Sequence, residues 1–173
     1  PLQAYYEWLP IRPQVQHGQP LYRSVAYGDL VQIYLLDTRV SARSRWLDFP
    51  QFQRDGQLDL AALTAAVQDP GRTLLGPAQL GWLAQGMAQS ACHWQVLAQQ
   101  VVMARMELPG EALAGLGQPG PALFQLLQQL AALKLRQPQT LSATDKQRLA
   151  NKLPYNLDAW DGFPAERERL YQQ

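Results

Sequence analysis

An α/β fold, a mixed sheet with flanking helices, is what the sequence predicts, and three observations predict it. The first is the stretch Leu30–Arg39, in which six of the first seven residues are apolar or aromatic before the run stops at Asp37-Thr38-Arg39. Val31, Ile33 and Tyr34 favour a pleated backbone, and a short continuous apolar run suits a strand covered on both faces. The second is another such run, Trp94 to Val102. The third is the helical spacing between them: Gly76-Pro77 opens a segment in which Leu80, Leu83, Ala84 and Met87 fall at i, i+3, i+4 and i+7. Proline at the first helical position sacrifices no hydrogen bond. Two strands joined through a helix are expected to be parallel, with a right-handed crossover.

The remaining elements follow in chain order. Pro1 to Pro20 carries four prolines with Tyr5, Tyr6 and Trp8, and reads as an irregular packed entry. Leu21–Tyr27 alternates loosely and precedes the turn signal Tyr27-Gly28-Asp29, so it should form a hairpin with Leu30–Asp37. Leu60, Leu63, Ala66 and Val67 share one face of a short helix within Asp59–Val67, ended by Asp69-Pro70-Gly71. A helical insert is expected at about 109–140, with Leu123, Leu126, Leu127 and Leu130 as its apolar stripe. Ser142-Ala-Thr-Asp145 resembles a capping box with Asp in place of Glu and should start a helix. Pro164 can start a last one, over 165–171.

Composition narrows the function classes. The 173 residues suffice for one domain with a core. At 47% hydrophobic and 17% charged the chain is globular. A net charge of +1 argues against bulk attraction to nucleic acid or to a membrane surface. No apolar run approaches the roughly 20 residues of a membrane span, and none reads as a signal peptide. The single cysteine, Cys92, excludes an internal disulfide framework. The first residue is Pro rather than Met, so a processed or longer parent is expected. Enzyme templates are missing: there is no Gly-x-Ser-x-Gly elbow, no phosphate-cradling Gly-rich loop and no metal-ligand cluster around His17 or His93.

Four segments read in order carry a resemblance. They are Tyr6-Glu-Trp-Leu-Pro-Ile-Arg12; Leu21-Tyr-Arg-Ser, leading to Tyr27-Gly-Asp-Leu and Leu36-Asp-Thr-Arg39; Gly71-Arg-Thr-Leu-Leu-Gly-Pro-Ala-Gln79 with Trp82-Leu83 and Trp94-Gln-Val-Leu-Ala-Gln-Gln-Val-Val-Met103; and Asn156-Leu-Asp-Ala-Trp-Asp-Gly-Phe-Pro-Ala-Glu-Arg167. Together they resemble the middle of a PhoD-like phosphatase, the alkaline phosphatase D family. The match touches most of residues 1–173 except the insert. It implies the α/β sandwich of the metallophosphoesterases and metal-dependent hydrolysis of phosphate mono- or diesters. Iron with calcium would polarise the phosphoryl oxygens and activate the attacking oxygen. It also implies a periplasmic or secreted setting, and leaves the oligomeric state unknown. The family's ligand motifs lie upstream of the Pro-Ile-Arg segment and downstream of Trp-Asp-Gly, so the metal ligands are expected outside this chain. Two positions depart from the pattern: Phe163 stands where Tyr is usual, and Val40-Ser-Ala-Arg replaces the common Gln-Tyr-Arg.

The resemblance makes Asp37, Arg39, Trp160 and Asp161 the candidate wall of the active site. Arg39 would steady anionic oxygens with its planar fork. Each has a plainer reading beside it. Asp37 caps a loop, Arg39 bridges strand and helix, Trp160 packs the last helix on the sheet, and Asp161 serves that helix's N-terminus. Gln99 and Gln100 are ordinary strand-end amides, or one of them faces the site. The expectation is the central segment of a phosphoester hydrolase, inactive by itself. The alternative is a non-catalytic binding or scaffold domain that keeps the fold.

Overall fold

The computed structural model describes residues 4, 7, 8, 20–116 and 120–173. His17 and most of the Pro1–Pro20 entry lie outside the described residues. The hairpin forms where expected. β1 (Arg23–Tyr27) pairs antiparallel with β2 (Val31–Leu35), Val25 opposite Ile33. Gly28, at φ +59, makes the turn between them, a backbone region in which glycine meets no steric penalty.

The chain then turns back through a small hairpin, β3 (Gln53–Arg54) with β4 (Gln57–Leu58), around Asp55 and Gly56, both at positive φ. Two helices follow. α1 (Leu60–Gln68) is capped by Asp59, whose carboxylate accepts from Ala62 N at 2.9 Å. α2 (Gly76–Gln89) begins with Pro77 one residue in. β5 (Trp94–Ala98) then lies parallel to β2, with Ile33 opposite Val96, and completes a three-stranded mixed sheet in the order β1-β2-β5. β5 ends at Ala98, four residues short of the apolar run, because Gln99 and Gln100 turn their amides to other tasks described below.

α2 covers one face of this sheet. The Trp82 ring meets Tyr34 edge-on at 5.8 Å and lies tilted on Tyr22 at 4.8 Å. Gly86 lets the helix approach so closely that an added Cβ would stand 2.9 Å from the Tyr34 ring. The opposite face differs from the expected burial. Among the described residues it is not covered: Val25, Trp94 and Val96 are exposed, and of β2 only Tyr34, on the helix side, is fully buried.

A second layer packs beneath α1. β6 (Glu107–Pro109) and β7 (Lys152–Pro154) form an antiparallel pair. α3 (Gly110–Gly115), α4 (Pro121–Lys134) and α5 (Ala143–Ala150) lie between them in sequence. Leu63, Val67, Leu113, Leu153 and Leu157 make this core. Along α4, Leu130 and Leu133 are buried while Leu127 is exposed. Ser142 caps α5, accepting from Asp145 N at 3.1 Å and donating its hydroxyl to the Asp145 carboxylate at 2.7 Å. The Asp side chain thus closes on the serine hydroxyl, whereas a full capping box closes on the serine backbone. α6 (Pro164–Tyr171) closes the main core, where Tyr34, Leu36, Leu74, Leu83, Trp160, Phe163 and Leu170 meet.

Candidate functional site

The carboxyl end of β2 is the point on which the loops converge, as open α/β sheets favour. The strand's regular pairing stops at Leu35, and Leu36 N donates to Ala98 O at 2.8 Å. Past it, two glutamine side chains act as substitute strands. Gln79, buried on α2, accepts from Asp37 N through Oε1 and donates to Asp37 O through Nε2, both at 2.8 Å. From the other side, Gln100 Nε2 donates to Leu36 O at 2.9 Å, and its Oε1 accepts from Thr38 N at 3.2 Å and Thr38 Oγ1 at 2.5 Å. An amide carries one donor and one acceptor group, like a peptide, so each can satisfy a buried backbone segment that no strand reaches.

Asp37 is buried and its carboxylate closes the loop. Oδ1 accepts from the amides of Arg39 and Val40 at 2.9 Å, and Oδ2 from Ser41 N at 2.8 Å and from the Ser41 hydroxyl. Burial alone would raise its pKa. The hydrogen bonds from Ser41 and the three backbone amides outweigh that and hold it below the ordinary value of 3.8.

The loop so fixed presents Arg39 and Arg43 to Asp158. Arg39 Nη1 lies 3.0 and 2.7 Å from the two Asp158 carboxylate oxygens. Arg43 Nη2 reaches Oδ1 at 2.5 Å and Asp158 O at 2.8 Å, while Nη1 donates to Thr38 O at 3.1 Å. Arg43 is largely buried, whereas Arg39 and Asp158 are each about half exposed, at 45% and 47%. Burial lowers the Arg43 pKa, Asp158 opposes that, and Arg39 adds to it. Two guanidiniums on one carboxylate leave a net positive, solvent-facing cluster, suited to anionic oxygens.

Trp160 and Asp161 lie deeper. Trp160 is fully enclosed in the core, with its indole N–H donated to Gln99 Oε1. Asp161 is buried against Arg167 at 2.7 Å, and its other oxygen accepts from Met106 N at 2.5 Å. It does not cap α6, whose entry at Phe163 has no side-chain cap. The structure thus brings Asp37 and Arg39 together with Arg43 and Asp158 at the surface, and sets Trp160 and Asp161 behind them. Asp158 escaped sequence reasoning although it sits two residues before Trp160 in a segment already singled out. Arg43 entered the sequence reading only as the end of Val40-Ser-Ala-Arg, with no role of its own.

A second anchor ties this region to α6. The Glu166 carboxylate, 1% exposed, accepts from Leu74 N, Leu75 N, Gly76 N and Thr73 Oγ1, at the N-terminus of α2. α2 has no side-chain cap of its own at Leu75. A buried anion there satisfies its orphan amides and meets the positive end of the helix dipole.

Among the described residues no group of three or more His, Cys, Asp or Glu side chains is placed to hold a metal ion. Asp158 is already paired with two cations, and the carboxylates of Asp37 and Asp161 are engaged by hydrogen-bond donors. The described residues therefore do not fit a metal site by themselves.

The sequence profile of the PhoD-like phosphatase family matches residues 1–173. Alkaline phosphatase D of Bacillus subtilis (strain 168) is 30% identical over 171 residues, spanning 97% of this chain and 21% of that protein. A solved structure of PhoD superposes with a TM-score of 0.60 at 29% identity, covering 98% of this chain and 24% of that one. The chain spans about a fifth of the length of the curated relative it matches. With a family profile matched from end to end and a mixed α/β architecture like that of PhoD, this chain belongs to the PhoD-like phosphatase family.

Proposed function

We propose that these residues furnish the scaffold and one anion-binding wall of a metal-dependent phosphomonoesterase or phosphodiesterase. In this reading the groups that grip the ions, iron with calcium, come from outside the chain, and the complete enzyme acts on phosphoesters in a periplasmic or extracellular setting. The observation that carries the reading is the cluster at the carboxyl end of β2, where Arg39 and Arg43 flank Asp158 in a chain of this family. A phosphoryl oxygen competes with Asp158 for Arg39, the more exposed of the two guanidiniums. Arg43 stays anchored on Thr38 O and Asp158 O and keeps the local charge positive. The Gln79 and Gln100 amides hold the Leu36–Thr38 backbone, so the loop that carries Arg39 starts from a fixed point.

The test places residues 1–173 in the matching segment of alkaline phosphatase D and follows hydrolysis of p-nitrophenyl phosphate and its bis ester. Arg39→Ala should lower kcat/KM by roughly 10- to 100-fold, in the range of a lost charge-assisted contact of ~1.5–3 kcal/mol. Unchanged kcat/KM in a folded chimera removes Arg39 from the site.

A further inference from the structure

Arg39 Nη1 and Arg43 Nη2 converge on one atom, Asp158 Oδ1, at 3.0 and 2.5 Å. Two guanidiniums aimed at a single oxygen make an oxyanion position, and the protein fills it with its own carboxylate. We infer that Asp158 is an internal competitor: its carboxylate occupies the anion position of the cluster after β2, and an incoming anion has to displace it to engage Arg39. This rests on the anion-binding wall proposed above and adds what limits access to it.

The first ground is that the position outlasts the carboxylate. Arg43 is anchored independently of it. Nη1 donates to Thr38 O at 3.1 Å, Nη2 donates to Asp158 O at 2.8 Å, and the guanidinium lies over the Phe163 ring at 5.1 Å. The backbone that carries Asp158 is also held without its side chain. Asp158 N donates to Asn156 Oδ1 at 3.1 Å, and Trp160 N donates to Val102 O at 3.3 Å. Gln79, Gln100 and the Asp37 carboxylate fix the loop that leads to Arg39. Neutralising Asp158 therefore leaves the frame of the site standing.

The second ground is that the carboxylate can leave. Arg39 and Asp158 are 45% and 47% exposed, and ion pairs in such settings are weak. Arg39 engages through Nη1 alone, and among the described residues its guanidinium has no other partner. The third ground is charge. Two guanidiniums against one carboxylate leave +1 at the cluster, whereas the guanidiniums without it carry +2. Asp158 thus opposes an anion twice, by filling the position and by repelling the newcomer.

The experiment titrates the 173-residue chain with inorganic phosphate and follows the Arg39 guanidinium and the Asp158 carboxyl carbon by NMR. In the wild-type chain the two signals should move together, with one midpoint. Asp158→Asn keeps shape and removes charge, and should tighten phosphate by roughly 3- to 10-fold. Asp158→Ala should tighten it as well, and Arg39→Ala added to Asp158→Asn should abolish the gain. A residue that served only the fold would weaken binding when replaced, so the sign of the change separates the two roles. The wild-type readout needs no variant and decides the matter even where a replacement unfolds the chain. An Arg39 signal that shifts while Asp158 stays still would overturn the competition and leave the anion wall standing. Unchanged or weaker phosphate binding in both folded Asp158 variants would do the same. Phosphate binding indifferent to Arg39→Ala alone would remove the wall itself, and the competition with it.

Discussion

Glu166→Gln tests the logic of the fold most sharply, because the substitution keeps shape and removes charge. The wild-type carboxylate is 1% exposed and accepts four hydrogen bonds, three of them from backbone amides at the start of α2. A hydrogen bond to a charged group contributes about 1.5–3 kcal/mol net, against about 1 kcal/mol for a neutral pair. Glutamine keeps its oxygen for Leu74 N and Leu75 N, where the charge assistance is lost, and turns its NH₂ toward the Thr73 hydroxyl, which can accept in place of donating, and toward Gly76 N, which then meets a second donor. The helix dipole adds up to about 2 kcal/mol in a partly buried setting. Allowing for local relaxation, the loss should be about 3–5 kcal/mol, a large share of the roughly 5–15 kcal/mol that stabilises a domain. Urea unfolding followed by circular dichroism reads it as a lowered midpoint at unchanged m. Should the variant fail to fold, Thr73→Val gives a milder version. Its hydroxyl donates to Glu166 and accepts from Gly76 N at 2.7 Å, so about 2 kcal/mol should be lost. Changes within 0.5 kcal/mol in both variants, on the order of an ordinary surface substitution, would refute the capping role of Glu166.

Three further outcomes follow from the same structure. Asp37 has a folded pKa below 3.8, so its contribution is fully present above the unfolded value and is lost as pH falls through the folded one; Asp37→Asn should flatten the acid limb of stability below about pH 4, and an unchanged limb contradicts this. Gln79→Ala strips both hydrogen bonds from the buried Asp37 backbone and should cost about 2–4 kcal/mol, with faster amide exchange confined at first to Asp37–Ser41; uniform exchange would show that Gln79 does not hold this loop. An alanine Cβ at Gly162 would lie 2.0 Å from Leu157 O, so Gly162→Ala should destabilise by about 3 kcal/mol or more and lower Tm by about 6–12 °C, whereas an unaltered melt would mean that the Leu157 backbone yields freely.

Periodicity made the sheet readable. Val31–Leu35 and Trp94–Ala98 are apolar runs with a helix between, and pairing them in parallel needs no information beyond that. The α2 and α6 starts were legible through Pro77 and Pro164, whose fixed φ suits a first turn. The Asp55-Gly56 hairpin carried an equally local signal, since both central residues of its tight turn need positive φ, yet it passed unread inside a stretch of mixed character. What the sequence could not display were partnerships across long separations. Gln79 acts on Asp37, Gln100 on Thr38, Glu166 on Leu74 and Asp158 on Arg39, and no spacing rule links residues 42 to 119 positions apart. The β6–β7 pair is of the same kind, three residues on each side with more than 40 between. Among the described residues the outer face of the sheet is uncovered, since an apolar run reports a residue's preference for burial, not what covers it.

Turnover of p-nitrophenyl phosphate, with iron and calcium supplied, is the most direct measurement of the central claim. It should be made on the 173-residue chain and on the same residues set within alkaline phosphatase D. The chain alone should stay at the buffer rate, and the chimera should hydrolyse the ester in a metal-dependent way. Metal-dependent turnover by the chain alone, or a folded chimera that binds metal and remains inert, would contradict the assignment of these residues as scaffold and anion wall of a phosphoester hydrolase.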